Sequence, residues 1–279
     1  MFEPAILAAI CTRLDRAQAL GDRRYRPFVV AGATVGAIDD ARAARLAAFG
    51  TGVFTVRGDA VTLAQRLADE PSRSSALRDV ALALRAEGAL PAWRDERYVI
   101  ATAFGAPPLA HLERGAARYF GLRTWAAHVN GIVEEGRTSQ MWFARRSASK
   151  AVDPGLWDNL VGGGIAAGLS VEQTVIKEAW EEAGIDESLA RRARPAGTVD
   201  VTRAMFDGLE RETIFVHDLS LTTAFVPDNQ DGEAIEHRLV SLAEAARFVA
   251  RDDGPDTVTI DASAVVLDYL LRRSQVSAV

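Results

Sequence analysis

The sequence predicts an α+β protein of two domains that divide near Gly121. The length of 279 residues exceeds that of one ordinary domain. Before Gly121, short β-prone runs are mixed with alanine-rich helical stretches, whereas longer strands follow it. A hydrophobic fraction of 48% and a charged fraction of 25% allow the chain to bury a core. We therefore expect an N-terminal α+β domain at residues 1–121 and a second domain at residues 122–279.

The first domain begins with an amphipathic helix, because Ile6, Ile10 and Leu14 recur at helical spacing. Its strands are predicted in short apolar runs, namely PFVVAG, TVGAI, GVFTVRG and the run inside WRDERYVIATAF. Its later helices are predicted near 62–69, 73–87 and 109–120, the last ending at Gly121.

The second domain is predicted to be rich in strands and to end in helices. The segments AAHVNGIVEEG and QMWFARR are expected to form a hairpin across Glu135 and Gly136. Further strands are predicted in AGTVDVTRA, ETIFVHDLSL and IEHRLVSL, and helices near 242–250 and 261–273.

Charge and cysteine content restrict the class of protein. The 32 Lys and Arg against 38 Asp and Glu give a formal charge of −6, which argues against a nucleic-acid partner. The single Cys11 excludes an internal disulfide and fits a reducing cytoplasm. No run of about 18 apolar residues occurs, and Glu3 stands where a secretory signal would carry positive charge. We expect a cytoplasmic protein with a small-molecule partner and no membrane partner, and leave open whether it is a monomer or a homodimer.

The segment 158–185 contains the residues that predict chemistry. Ser170, followed three residues later by Gln173, forms a capping box, and Gly184 suits the left-handed position after a helix. A helix is therefore predicted from about Val171 to Ala183, preceded by a strand and a turn of three glycines at 162–164.

Three glutamates of this helix, Glu178, Glu181 and Glu182, share one face. The opposite, packed face is expected to carry Ile176, Ala179, Trp180 and Ala183. Repulsion costs about 0.2–0.5 kcal/mol per glutamate pair, and a divalent cation would offset it. Such a cluster of glutamates is nevertheless most often a solvated surface. A glycine-rich turn before a helix is likewise often only structural. Residues 162–167 also match the loose dinucleotide pattern G-x-G-x-x-A, but the strands that follow do not alternate with helices as a nucleotide-binding sheet requires.

Glycines and glutamates together resemble the Nudix box, G-x5-E-x7-R-E-U-x-E-E-x-G-U, where U is bulky and aliphatic. The matching residues are Gly163, Glu178, Glu181, Glu182, Gly184 and Ile185. The resemblance implies an α/β/α sandwich whose Glu178, Glu181 and Glu182 hold Mg²⁺ or Mn²⁺ while water cleaves a diphosphate linkage.

Three positions depart from the box. Leu169 replaces the first glutamate, Lys177 the arginine and Ala179 the aliphatic residue. Lys177 keeps a cation that can orient the glutamates, without the planar fork of arginine. The missing carboxylate at Leu169 is compatible with an altered metal set, a slower enzyme or an inactive fold.

The resemblance extends over nearly the whole chain. Segments similar to one Nudix subfamily are RPFVVAG (26–32), WRDERYVI (93–100), FGLRTWAAHVNG (120–131), WFARRSASK (142–150), DNLVGGGIAAG (158–168) and PDNQDGE (227–233). That subfamily carries an extra, DUF4743-like N-terminal domain and is related to the Nudix part of proteins associated with thiamine pyrophosphokinase. It implies a diphosphatase acting on thiamine diphosphate or its oxidised, toxic analogues.

Candidate substrate-binding residues surround the glycine turn. Arg145, Arg146 and Lys150 are candidates for neutralising diphosphate oxygens, the alternative being a solvated basic loop. Gly163 and Gly164 allow close approach of an anion. Stacking on a heteroaromatic substrate is open to Trp125, Trp142 and Trp157, although tryptophans more often belong to the core.

Four further residues are assigned by the resemblance or by their position in a loop. His128 and Asn130 match the H-x-N-G pattern of the subfamily and are candidates for binding substrate or for a structural pair. Glu233 is the candidate for a further metal ligand or catalytic base, with Glu236 as the alternative, unless both are ordinary loop carboxylates.

Two rival functions remain at this point. A catalytically impaired Nudix-like module would bind a diphosphate ligand or a protein partner, with Leu169 as the mark of lost chemistry. A diphosphate isomerase on the same fold would require a cysteine near the site, whereas Cys11 is predicted in the N-terminal helix.

Overall fold

The computed structural model describes residues 2–136 and 138–276. Within these residues the chain forms seven α-helices and thirteen β-strands. The helices are α1 (Pro4–Gln18), α2 (Asp40–Ala47), α3 (Glu70–Ala86), α4 (Val171–Ala183), α5 (Glu187–Ala190), α6 (Leu242–Val249) and α7 (Ile260–Val276). The strands are β1 (Tyr25–Val30), β2 (Ala33–Asp39), β3 (Phe54–Arg57), β4 (Ala60–Leu63), β5 (Arg97–Ile100), β6 (Ala110–Glu113), β7 (Arg123–Glu135), β8 (Thr138–Arg146), β9 (Trp157–Asn159), β10 (Val161–Gly164), β11 (Arg194–Met205), β12 (Gly208–Leu221) and β13 (Ala234–Ser241).

The N-terminal part, from β1 to β6, folds around a four-stranded sheet with the order β2-β1-β4-β3. In its core the rings of Phe28, Phe54 and Phe120 contact one another, with centroids 5.1 to 6.2 Å apart. Helix α3 packs the same core against the antiparallel hairpin of β5 and β6. Asp69 caps this helix by accepting a hydrogen bond from the Ser72 N–H at 2.8 Å.

Two predicted helices of this part are wrong. The segment 62–69 contains the end of β4, in which Val61 and Leu63 are buried and β3 and β1 are the partners. The segment 109–120 contains β6 and a single 3-10 turn at Arg114–Ala116. In both places, antiparallel pairing with the preceding strand, β3 for β4 and β5 for β6, overrides the local helical preference of an alanine-rich sequence.

The C-terminal part is an α/β/α sandwich, as the resemblance implied. Its sheet has the order β11-β12-β7-β8-β13, with β10 paired to β7 and β9 paired to β8. Strands β7 and β12 run parallel, paired from Arg123↔Arg211 to Val133↔Leu221. The predicted hairpin is confirmed, because β7 and β8 pair antiparallel up to Glu135 and Thr138.

Alternate residues of β7 face the two helical layers of the sandwich. Ala127, Val129 and Val133 pack with residues of α4 on one face. Ala126 and Ile132 point the other way and pack with residues of α7 and α6. The sheet therefore holds α4 in a fixed position on the side where the box residues lie.

Helix α1 is amphipathic, as predicted, and it packs against α6 and α7. Its Ile10 and Leu14 belong to the same buried cluster as those helices. Arg13 of α1 is 5% exposed and donates to the Val249 carbonyl at 3.0 Å. Cys11 is exposed and unpaired on this helix. No helix among residues 2–136 and 138–276 is long and apolar enough to cross a bilayer.

Candidate active site

Helix α4 begins and ends where its sequence signals predicted. The Gln173 N–H donates to Ser170 Oγ at 3.1 Å, and the Ser170 N–H donates to the Gln173 side chain at 2.8 Å, which completes the capping box. Gly184 ends the helix in the left-handed conformation, at a φ of 64°. The glutamates of the box are thus carried by a helix whose two ends are fixed.

The acidic face of α4 is only partly open to solvent. Glu182 is 7% exposed, whereas Trp180, predicted to pack, is 52% exposed. The buried residues of the helix are Thr174, Val175, Ala179, Glu182 and Ala183. The prediction for Trp180 was therefore wrong, because Glu182 continues the stripe of Val175 and Ala179 at helical spacing and takes that side of the helix.

The carboxylate of Glu182 lies between a backbone amide and an ammonium group. Its Oε2 accepts a hydrogen bond from the Gly162 N–H at 2.8 Å, and its Oε1 lies 3.9 Å from Lys150 Nζ. Burial raises the pKa of Glu182 to about 7. The positive charge of Lys150 opposes this rise, and the negative charge of Glu178 adds to it. The negative charge of this carboxylate is incompletely compensated by the protein.

Lys177, at the arginine position of the box, binds the other two glutamates. Its Nζ donates to Glu178 Oε1 at 3.0 Å and to Glu181 Oε2 at 2.6 Å. The side chain of Glu178 is 13% exposed and that of Glu181 is 33% exposed. Burial raises the pKa of Glu178 despite the neighbouring lysine. The lysine therefore orients two of the three box glutamates.

The three glycines predicted as a turn form strand β10 instead, because they pair with β7 from Gly162↔His128 to Gly164↔Ala126. A Cβ at Gly162 would lie 2.9 Å from the ring of His128. A Cβ at Gly163 would overlap the carboxylate of Glu178, and one at Gly164 would overlap the Tyr98 hydroxyl. Glycine is required here because side chains from three elements cover the strand closely.

A cavity of about 340 Å³ opens beside α4 and β10. Its lining is dominated by charged side chains from both parts of the chain. The cationic residues are Arg94, Arg114, Arg118, Arg146, Lys150 and Lys177. The acidic residues are Glu96, Asp153, Asp158, Glu178, Glu181, Glu210, Glu212, Asp231, Glu233 and Asp261. Gly162, Gly163 and Gly164 complete one wall.

Arg146 and Lys150, two of the substrate-binding candidates, line this cavity. Arg146 Nη1 donates to Asp158 Oδ2 at 2.8 Å, and its Nη2 donates to the Val152 carbonyl at 3.0 Å. Lys150 forms an ion pair with Glu233, the candidate loop carboxylate. Two cations and Glu233 are thus held at the cavity, close to the box helix.

Arg145 does not line the cavity. It lies next to Arg146 on β8, and successive side chains of a strand point to opposite faces. Arg145 pairs with Glu236 at 3.3 Å and lies over the Trp157 ring, 5.8 Å from its centroid. The structure therefore separates both Arg145 and the alternative carboxylate Glu236 from the substrate-binding candidates.

The predicted pair of His128 and Asn130 is linked through Asn159. His128 Nδ1–H donates to Asn159 Oδ1 at 2.8 Å, and Asn159 Nδ2 donates to Asn130 Oδ1 at 3.0 Å. Asn130 is fully buried and also donates to Asp218 at 3.0 Å. Of the two, His128 lines the cavity, whereas Asn130 supports it from within the sheet.

The tryptophans considered for stacking belong to apolar packing. Trp157 is 0% exposed and Trp125 is 7% exposed. Trp142 contacts Phe225 edge to face, with centroids 6.4 Å apart. None of these three tryptophans is among the residues that line the cavity, and neither is Cys11.

A second group of carboxylates, Glu210, Glu212 and Asp261, lines the cavity from β12 and α7; we call it the acid wall. Arg203 donates to Glu210 at 2.6 Å and lies 3.7 Å from Asp261. Burial raises the pKa of Asp261 to about 6. The positive charge of Arg203 opposes this rise, and the negative charge of Glu212 adds to it. Burial and the charge of Glu210 raise the pKa of Glu212. None of the three residues of this wall was predicted as a site residue from the sequence.

Glu178, Glu181 and Glu182 offer the carboxylate oxygens that Mg²⁺ and Mn²⁺ prefer. Glu182 is buried and Glu178 is partly buried, and burial raises the pKa of both, which a bound cation would offset. Within residues 2–136 and 138–276, no group of three or more His, Cys, Asp or Glu side chains is already gathered at metal-binding spacing. The ammonium groups of Lys150 and Lys177 lie 2.6 to 3.9 Å from these carboxylates.

Comparison with known proteins covers both parts of the chain. A family model for the NUDIX domain matches residues 124–258, and a model described as a domain of unknown function, DUF4743, matches residues 7–124. Nudix hydrolase 24, chloroplastic, of Arabidopsis thaliana is 38% identical over 253 residues, which cover 89% of this chain and 67% of that protein. Nudix hydrolase 20, chloroplastic, of the same plant is 37% identical over 215 residues, which cover 76% of this chain and 56% of that protein. A MutT protein from Methanosarcina mazei Go1 covers 55% of this chain at 20% identity, with a TM-score of 0.42, and adds nothing on function.

Proposed function

Because the chain belongs to the Nudix hydrolase family, whose members are pyrophosphohydrolases, we propose that it cleaves thiamine diphosphate or an oxidised analogue with the help of Mg²⁺. The observation that carries this proposal is the position of Glu178 and Glu182. Glu178 lines the cavity, and its side chain is 13% exposed. Glu182 is 7% exposed, and its Oε1 lies 3.9 Å from Nζ of Lys150, which lines the cavity together with Arg146. A diphosphate bound there meets metal-binding oxygens on one element and positively charged donors on others.

Glu178, Glu181 and Glu182 are the residues that would hold the metal ion. When bound, Mg²⁺ polarises the diphosphate and lowers the pKa of a water molecule. Side chains of the protein bind the substrate and stabilise the charge that develops during the reaction. Arg146 and Lys150 bind non-bridging oxygens and balance the charge that develops on the departing phosphate.

Glu233 is our candidate for the general base. Its carboxylate lines the cavity, is 37% exposed and is positioned by Lys150. The water oxygen attacks a phosphorus atom while its proton passes to Glu233. The bond from that phosphorus to the bridging oxygen breaks, and its electron pair leaves with the departing phosphate. The products are a monophosphate ester and inorganic phosphate.

The acid wall supports a substrate whose organic part is positively charged. Glu210, Glu212 and Asp261 bring three carboxylates, and the cations paired with them are Arg203 and Arg118. Such a surface attracts a cationic ring, and the thiazolium ring of thiamine carries one positive charge. This feature favours thiamine diphosphate over a diphosphate with a neutral organic group.

The test is turnover by the pure full-length chain with Mg²⁺. Thiamine diphosphate, oxythiamine diphosphate, ADP-ribose and nucleoside triphosphates are supplied separately, and phosphorus NMR follows the products. We expect thiamine diphosphate to give thiamine monophosphate and inorganic phosphate, and a chelator to stop the reaction. Preference for ADP-ribose would contradict the assigned substrate. Binding without turnover of any compound would contradict hydrolysis and favour the non-catalytic module.

A further inference from the structure

An apolar seam joins the N-terminal part to the sandwich. We define the seam as Val99 and Ala101 from the N-terminal part packed with Trp125, Ile165 and Leu169 from the sandwich. Burial of these side chains on both sides fixes the position of the β5–β6 hairpin relative to α4 and β10. The hairpin is therefore a fixed neighbour of the box.

The loop after β5 extends this seam. The ring of Phe104 contacts Trp125 edge to face, with centroids 5.8 Å apart, and Phe215 in a tilted arrangement, with centroids 4.8 Å apart. Leu169 is the residue that replaces the first glutamate of the box, and it packs against this apolar cluster without lining the cavity. The departure at Leu169 thus coincides with the contact between the two parts of the chain.

The docked hairpin touches the glycine strand directly. The Ala167 N–H donates to the Arg97 carbonyl at 2.8 Å, which ties β5 to the segment after β10. The Tyr98 hydroxyl lies against Gly164. It fills the space that the Cβ atom of any other residue at position 164 would need. The hairpin therefore forms one side of the cavity.

Arg114 follows β6 and lines this cavity. It stacks over the Tyr98 ring at 5.4 Å from the centroid, and its Nη1 donates to Glu96 at 2.7 Å. Within the described part of the chain, this bond to Glu96 is the one hydrogen bond that the Arg114 guanidinium donates. The N–H groups of Nη2 and Nε therefore remain available to a ligand. The Arg114 side chain is 37% exposed, compared with 17% for Arg146 and 10% for Lys150.

We propose that the N-terminal part completes the substrate site and that Arg114 binds a non-bridging oxygen of the substrate's phosphate group. A planar guanidinium with an open edge matches phosphate oxygens in geometry and charge. Arg114 lies on the Gly164 side of the same cavity whose other side carries the box glutamates. This assignment of Arg114 depends on the proposed function for one point, namely that the ligand is a diphosphate.

The test measures binding of inorganic pyrophosphate with Mg²⁺ by calorimetry, using the full chain. Arg114→Gln is expected to weaken binding by about 10- to 100-fold, the loss typical of a charge-assisted hydrogen bond. Arg114→Lys should recover part of it. The matched control is Arg78→Gln, which removes an equal charge from an exposed position on α3 outside the cavity. Turnover, measured in parallel, should show the Arg114→Gln defect mainly in KM.

Glu96→Gln separates ligand binding from a structural tie. It removes the Arg114–Glu96 ion pair and leaves the guanidinium, so pyrophosphate affinity should be retained or improved. If Glu96→Gln weakens binding as much as Arg114→Gln, the ion pair acts by holding the two ends of the β5–β6 hairpin together, and the proposal is wrong. Unchanged affinity in Arg114→Gln, or no pyrophosphate binding by the unmodified protein, would also overturn it. If no organic diphosphate is hydrolysed but Arg114→Gln still weakens pyrophosphate binding, the proposed function fails and this assignment stands.

Discussion

The cavity has two sides that differ in how the chain builds them. The α4 side is a single helix, and its capping box, its packed stripe and its glutamates all lie within a short stretch of sequence. The hairpin side, formed by β5 and β6, exists only after two strands pair and the seam docks them on the sandwich. The first side can be recognised locally, whereas the second depends on tertiary structure.

The two sides also differ in how their charges are paired. Each box glutamate lies near an ammonium group, from Lys177 for Glu178 and Glu181 and from Lys150 for Glu182. On the hairpin side, Arg114 is paired with one carboxylate and keeps open donors. We infer that the α4 side supplies the reaction chemistry, while the hairpin side supplies affinity for the substrate.

The largest expected effect is on the α4 side, in Glu182→Gln. The glutamine keeps the shape and an acceptor for the Gly162 N–H, but it removes the buried negative charge. Activation by a metal ion contributes several kcal/mol to lowering the barrier. Losing about 4 kcal/mol of that contribution would lower kcat roughly a thousandfold. The measurement is the Mg²⁺-dependent release of phosphate, with a melting curve to show that the fold is retained.

The matched control is Glu172→Gln in the same helix. Glu172 has an exposed side chain that pairs with Arg191 on the surface. Its kcat should stay within about twofold of the unmodified protein, since exposed ion pairs contribute little. Normal kcat in Glu182→Gln would remove this residue from the metal-binding set.

An intermediate effect is expected where the two sides meet, in Gly164→Ala. The added methyl group would overlap the Tyr98 hydroxyl, and overpacking of this kind costs about 1–3 kcal/mol. Adding Tyr98→Phe removes that oxygen and should restore part of the lost stability. Urea unfolding of both single variants and the double variant gives the coupling energy. Strict additivity would show that the hairpin is not in contact with the glycine strand.

The sequence was informative wherever the determinants are local. The cap residues Ser170 and Gly184 located α4, and apolar alternation located the β7–β8 hairpin. It failed at 62–69 and at 109–120, where alanine-rich segments pair as strands or turn after them. The pairing of β4 with β3 and of β6 with β5 depends on packing between the strands, which the residues of one segment alone do not show.

The site shows the same division. The pattern could not tell Arg145 from Arg146, because alternation separates their faces but does not reveal which face has the cavity. Glu210 and Glu212 lie two residues apart on a strand, a spacing that places both carboxylates on one face and so indicates part of the acid wall. Arg114 carried none, because its approach to the cavity depends on the docking of the hairpin.

The smallest expected effect concerns the seam, in Leu169→Glu, which restores the glutamate of the family pattern. Leu169 is half-buried among apolar side chains, so an unpaired carboxylate there should cost about 1–2 kcal/mol of unfolding free energy. Leu169→Gln has nearly the same shape without the charge and should cost less. We expect neither variant to raise kcat, because the side chain packs against the N-terminal part and does not line the cavity. A gain of Mg²⁺-dependent kcat in Leu169→Glu alone would mean that this position still belongs to the catalytic set, and that the hairpin occupies it at the cost of activity.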